Sequence, residues 1–341
     1  MQDDKARCIL NLLYQDAMLS QDGLAARLKE LGFNASRQNI AKYIEKLETD
    51  RDIAYSIIEN PNIHQFRTHF LEIKTNPEEP EIVSRLSAIS RVRTIDGIIG
   101  QNSLMIKIST RNDQQFSEIL EQIDEIITGT RFQHYKIINV LKTFKDGGKI
   151  LSGDYAFELD PGASPPALDS IDEFILDSMN DMPERFSYGW LSTKALDRGL
   201  DLSYPMVHKR VKTMMEAGII DTFTIKLSPG FIPATEFGVK FYLQILPKQL
   251  SAYNDLAAAD LAKRDEIVEL HRTGEEYGIF AVVRTGSIAE YRQFLESLYR
   301  TGKLQDTVST LAIDEKMPST FKPFKNSTMA PLSMIAGSVD D

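Results

Sequence analysis

The chain repeats itself, and that constrains its folding more than anything else. A helical pattern that begins at Ser36 sets Ile40, Ile44 and Leu47 on one stripe. The pattern that begins at Ser203 sets Val207, Val211 and Met214 on the same stripe, and each matched pair lies 167 residues apart. Apolar residues spaced four and three apart mark one face of a 3.6-residue helix. A recurrence at constant separation marks two copies of one unit. Each of these helices closes a trihelical pattern, over about 5–50 and 168–217.

A second repeat follows each trihelical unit and reads as strand, helix, strand, strand, helix, strand. In the first copy these are Thr68–Lys74, Glu78–Ile89, Val92–Ile98, Leu104–Thr110, Gln114–Ile127 and Phe132–Phe144. Their counterparts are Val239–Leu246, Ala252–Ala262, Ile267–Arg272, Ile279–Thr285, Ile288–Tyr299 and Leu304–Ile313. Leu104 with Ile279, Ile108 with Val283 and Leu120 with Leu295 are matched at a separation of 175. This order predicts a ferredoxin-like βαββαβ unit, an antiparallel sheet with helices on one face, and the alternation of Leu104, Ile106 and Ile108 suits a half-covered sheet. The expected fold is therefore α+β, two winged helix-turn-helix domains alternating with two ferredoxin-like domains. The boundaries are 1–60 and 64–145 for the first pair, 167–230 and 234–317 for the second. Residues 146–166, with Asp146-Gly147-Gly148 and a Pro/Gly-rich run, read as a linker, and 318–341 as a flexible tail.

Composition narrows the function. A net charge of −10 opposes a surface coated for nonspecific nucleic-acid binding but permits local cationic faces. No apolar run approaches the ~20 residues of a membrane helix, and the start Met1-Gln2-Asp3-Asp4-Lys5 lacks the form of a secretory signal. A cytoplasmic protein without membrane partners is expected. Cys8, the single cysteine, lies among Ile9, Leu10 and Leu13 and reads as a buried thiol.

The two recurring helices carry the features of a DNA reader, with an apolar face for anchorage and a polar face for the major groove. The first turns outward Arg37, Gln38, Asn39, Lys42, Tyr43 and Lys46 behind Ser36. The second turns outward Tyr204, His208, Lys209, Arg210 and Lys212 behind Ser203, a candidate N-cap. Gln and Asn can pair with adenine, and Arg and Lys with guanine or phosphates. Just beyond each helix, Asp52–Ile58 and Thr222–Leu227 have the β-branched content of a wing. A basic helix face is also simply what a solvated helix shows, and a winged helix can dock protein instead of DNA.

The runs Leu168-Asp169-Ser170-Ile171-Asp172-Glu173-Phe174, Leu202-Ser203-Tyr204-Pro205-Met206-Val207-His208 and Glu216-Ala217-Gly218-Ile219-Ile220, in that order, resemble the Lrp/AsnC family of leucine-responsive or feast/famine regulators. Gly274-Glu275-Glu276-Tyr277-Gly278 stands where that family writes a glycine, about two variable residues and an aspartate before an apolar strand. Here Gly278 replaces the aspartate. Gly97 to Ser103 occupies the matching hairpin of the first copy. The resemblance implies RAM/ACT-like sensing domains that pair within or between chains, double-stranded DNA as partner, a homo-oligomer and a small-molecule effector. It places that effector at Gly97, Gly100, Asn102 and Ser103 and at Thr273, Gly274, Tyr277 and Gly278. Family members usually carry one copy, so this chain looks like a covalently joined dimer.

Siroheme decarboxylases resemble the same family, but their histidine-, asparagine- and tyrosine-rich hairpin is not reproduced here, although His271-Arg272 lies nearby. His64, His69, His134 and His208 show no zinc-like spacing with one another or with Cys8. There is no phosphate-cradling glycine loop and no nucleophile elbow. The expectation is therefore a regulator with no catalytic activity, no metal and no cofactor.

Overall fold

A computed structural model describes residues 2–61, 67–75, 81–89, 91–151, 168–180, 182, 184–227, 238–248 and 260–317. The chain is α+β and divides into two compact units, each drawn from both parts of the sequence. The described residues of 2–59 and 168–227 form the first unit, and those of 60–151 and 238–317 the second.

In the first unit, helices α1 (Gln2–Gln15), α2 (Gln21–Glu30) and α3 (Arg37–Thr49) lead into strand β1 (Ile53–Glu59). Helices α6 (Ser170–Met179), α7 (Tyr188–Asp197) and α8 (Tyr204–Glu216) lead in the same way into β7 (Ile220–Leu227). The helix starts are written in the sequence. Ser20, Ser36 and Ser187 each accept a backbone N–H at an N-cap, and Asp169 closes a capping box with Asp172.

The expected wings are corrected by strand pairing. β1 and β7 run antiparallel to each other, with Ile53 opposite Leu227 and Ser56 opposite Thr224. Their β-branched content serves burial rather than DNA contact, since Ile53, Ile57, Thr224 and Ile225 are buried. Each strand also packs on a helix of the opposite segment. Thr224 donates its hydroxyl to the Tyr14 carbonyl at 2.8 Å, and Ser56 donates to the Asn180 carbonyl at 2.9 Å. Cys8 is buried in α1.

The second unit is built on an antiparallel ladder. Its elements are β2 (Arg67–Ile73), α4 (Glu81–Ser87), β3 (Val92–Ile99), β4 (Leu104–Thr110), α5 (Asp113–Thr128), β5 (Tyr135–Asp146) and β6 (Lys149–Ile150). They continue with β8 (Val239–Pro247), β9 (Ile267–Thr273), β10 (Ile279–Thr285), α9 (Ile288–Arg300) and β11 (Leu304–Met317). The strand order β2-β4-β3-β11-β8-β10-β9-β5 closes through a β2–β5 pairing, so these eight strands form a barrel, with β6 beside β5. Closure removes the open edges that an isolated sheet would present.

Alternation divides the side chains. Leu71, Ile73, Ile95, Ile106 and Ile108 pack outward with Ile119, Ile123 and Ile127 of α5. Leu243, Ile245, Ala281 and Val283 pack outward with Tyr291, Phe294 and Leu298 of α9. The opposite face gathers Phe70, Ile98, Met105, Ile138, Tyr242, Val268, Phe280 and Val282 inside the barrel. The start of the expected linker is also corrected. Gly147 and Gly148, both at positive φ, turn β5 into β6, and Lys145 pairs with Ile150. The helix expected at Ala252–Ala262 falls mostly outside the described residues, as do residues 318–341.

Candidate nucleic-acid interface and barrel interior

Helix α3 buries Ile40, Ile44 and Leu47, and its outer face exposes Arg37, Gln38, Lys42 and Lys46, with Asn39 half-buried. Ser36 caps it by accepting the Asn39 N–H at 3.2 Å. Arg37 is held towards α2, 3.3 Å from Gln21 Oε1 and 3.5 Å from Asp22. Tyr43 is corrected, because it is buried at 6% exposure and joins the anchoring stripe. It lies three residues beyond Ile40 and four before Leu47, the spacing of a buried helix face. Burial pushes its hydroxyl pKa upward.

Helix α8 buries Val207, Val211 and Met214 and exposes Ser203, Tyr204, His208, Lys209 and Lys212. Ser203 occupies the N-cap position without making a side-chain cap bond. Tyr204 and His208 stack in parallel at 6.4 Å, and Tyr188 meets both edge-on. Lys212 lies 3.7 Å from Glu216. Arg210 is corrected as a DNA contact, since its guanidinium is clamped at 2.9 Å from Asp169 and 2.7 Å from Asp172, at the start of α6. These carboxylates raise its pKa, the Asp172 hydrogen bond contributing most. Arg210 therefore fixes one helix to another. Lys209 lines a pocket between α6 and α8 with Leu168, Met206 and Thr213.

The expected effector residues lie on two hairpins, β3–β4 and β9–β10. Gly100 and Gly274 are exposed. Asn102 donates to Glu72 at 2.8 Å, Ser103 donates to the Thr75 carbonyl at 3.1 Å, and Tyr277 donates to Asp306 at 2.6 Å. Gly97, Thr273 and Gly278 are corrected, because all three are buried in the sheet. Gly97 faces Asp314 of β11 so closely that a Cβ would come within 1.9 Å of its carboxylate. Thr273 spends its hydroxyl on the Tyr277 carbonyl, and the Gly278 carbonyl accepts from the Thr273 N–H and from Arg272.

The barrel interior holds ionisable groups that sequence reasoning missed. Lys107 is 6% exposed and lies 2.9 Å from Glu269 and 3.0 Å from Asp146. Glu269 in turn lies 3.4 Å from the wholly buried His271, whose Nδ1 is 3.1 Å from the Thr143 hydroxyl. Burial alone would raise the pKa of Glu269, but Lys107 and His271 hold it far below the usual carboxylate range. Burial opposes the charge on Lys107, yet the two carboxylates keep its pKa raised. A second cluster joins Asp96, Lys240, Glu315 and Arg284. Lys240 is 2.5 Å from Asp96, Arg284 is 2.5 Å from Glu315, and Tyr242 donates its hydroxyl to Asp96. Asp96 is wholly buried, with Oδ1 unpartnered, and burial raises its pKa against the pull of Lys240. The available signal was a charge inside an apolar alternation, as at Lys107 between Ile106 and Ile108, but alternation assigns such a residue to solvent unless the sheet is known to close.

Residues 242–320 match the profile of the Lrp/AsnC ligand binding domain. The chain is 30% identical over 118 residues to the regulatory protein AsnC of Escherichia coli K12, covering 34% of this chain and 75% of that protein. It is 24% identical over 158 residues to the HTH-type transcriptional regulator FL11 of Pyrococcus furiosus, covering 46% of this chain and 97% of the relative. The chain belongs to the Lrp/AsnC family.

A crystal structure of the siroheme decarboxylase NirDL, complexed with an iron-uroporphyrin III analogue, is similar over 94% of each chain, with a TM-score of 0.57 and 12% identity. At that identity the likeness concerns the fold. It nevertheless corrects the expectation of a chain without catalytic activity, because an enzyme is built on this arrangement along almost its whole length. Among the described residues no helix is long and apolar enough to cross a membrane.

Proposed function

We propose that the chain is a cytoplasmic, sequence-specific DNA-binding transcription regulator in which two helix-turn-helix units and two ferredoxin-like sensing units are joined covalently as a pair. The observation that carries this reading is the recurrence of a capped, core-anchored helix with an exposed polar face, once in α3 and once in α8, in a member of a regulator family. Gln38, Asn39, Lys42 and Lys46 supply base and phosphate contacts from α3, and Tyr204, His208, Lys209 and Lys212 supply them from α8. Two helices that read one face of DNA must stand ~34–36 Å apart, or a multiple of that. A small metabolite of the amino-acid class, held at the hairpin residues Gly100, Asn102, Ser103, Gly274 and Tyr277, modulates binding only through its differential affinity for the DNA-competent arrangement. Mobility shift on the protein's own promoter region over a salt series tests the reading. A steep loss of binding with salt supports it, and binding insensitive to salt and sequence contradicts it.

A second reading is catalysis on a tetrapyrrole by the barrel unit. It is favoured by the fold likeness to the decarboxylase and by the interior Lys107, Glu269 and His271. Titration with iron-uroporphyrin III, followed by visible absorbance and carbon dioxide release, decides this reading.

A further inference from the structure

The strand registers align the two halves of the barrel residue by residue. Lys107 pairs with Thr94 in one half where Val282 pairs with Glu269 in the other. Asp96 pairs with Met105 where His271 pairs with Phe280. Thr68 pairs with Ser109 where Lys240 pairs with Arg284. At each of these matched positions except Met105 and Phe280, an ionisable residue in one half stands where the other half carries something different. Yet the ion pairs Lys107–Glu269 and Asp96–Lys240 each draw one member from each half.

A barrel made from two first halves would set each Lys107 against Thr94 and each Asp96 against Thr68. A barrel made from two second halves would set each Glu269 against Val282 and bring Lys240 towards His271. The first arrangement buries Asp96 without a cation and leaves Lys107 with Asp146 alone, and the second leaves Glu269 with His271 alone and Lys240 with Glu315 alone; breaking the short buried pairs in this way is destabilising. We infer that the inner sheet faces are complementary locks, so that each half accepts the unlike half and rejects a like half from a second copy. The inference goes beyond the regulator reading, since it holds whatever the helices bind. It also leaves other surfaces free for oligomerisation.

Two measurements on the full-length chain test it. Glu269→Thr gives Lys107 the neighbour it would meet in a like pair, and Lys240→Thr does the same for Asp96. Each is expected to weaken the folding equilibrium in urea by on the order of 10²- to 10³-fold, and Lys107→Val added to Glu269→Thr is expected to recover most of that loss. Single effects below about threefold, or a double variant no better than the single, would overturn the inference.

The second measurement needs no destabilised variant. In a Cys8→Ala background, Ile99→Cys with Leu311→Cys reports unlike pairing, because these strands are neighbours. Ile99→Cys with Asn139→Cys reports like pairing between two chains, because Asn139 opposite His69 is the counterpart of Leu311 opposite Phe241. After refolding at high concentration, a short bis-maleimide is expected to bridge the first pair and to give no covalent dimer with the second. Covalent dimers bridged through residues 99 and 139 would sink the proposal.

Discussion

Lys42 and Lys209 are exposed on α3 and α8, whereas Arg210, one position further along, is bound to two carboxylates. Lys42→Ala and Lys209→Ala are therefore expected to weaken DNA binding, each lowering the log–log salt slope by ~1. Arg210→Ala should leave that slope unchanged and reduce the stability of the first unit by roughly 1 kcal/mol or less, as partly exposed ion pairs do. A filter-binding salt series and a urea melt on the same variants check both outcomes. His69 belongs to the residue scale too. It stacks on Phe116 at 3.6 Å with Nε2 unpartnered, and burial lowers its pKa below the usual 6.5. The folded state thus holds fewer protons on this group than the unfolded state. Its contribution is complete above pH ~6.5 and is lost as pH falls below that value. Urea melts from pH 7.5 to 5 should show the decline, and His69→Phe should flatten it.

At the scale of the element, glycines with similar sequence signals have different consequences. Gly238 precedes β8 at φ +74°, and a Cβ there would lie 1.8 Å from the Thr285 backbone carbonyl. At Gly97 the obstacle is the side chain of Asp314, which can rotate away. Gly238→Ala should lower the thermal midpoint markedly and Gly97→Ala only slightly, and calorimetry on the two variants separates them. The elements show how far pattern reading reached. The expected strands Leu104–Thr110 and Ile279–Thr285 coincide with β4 and β10, because alternation along a half-covered strand is a local signal. The helices starting after Ser36 and Ser203 were legible from the stripe that each must bury. What escaped is nonlocal. Nothing between Asp52 and Ile58 says that this strand pairs with residues some 170 positions away. Nor does anything around Lys107 say that it faces Glu269 across a closed interior rather than water. Tyr43 escaped for a different reason, since an aromatic with a polar tip fits either side of a helix until the neighbouring core is in place.

For the whole molecule, the outer faces of α3 and α8 differ in sequence although both helices share one frame. α3 presents Gln38, Asn39 and Lys42, and α8 presents Tyr204, His208 and Lys209. The best operator is therefore expected to be asymmetric. Selection of binding sites from random DNA checks this, and recovery of a perfect palindrome bound by a single chain would refute it.

The ring of eight strands is completed within a single polypeptide. A barrel assembled from separate subunits falls apart as a cell's copy number drops, because its melting depends on concentration. Here the two sheets remain at fixed stoichiometry however scarce the molecule becomes, so thermal unfolding of the barrel should be the same at nanomolar and at micromolar levels.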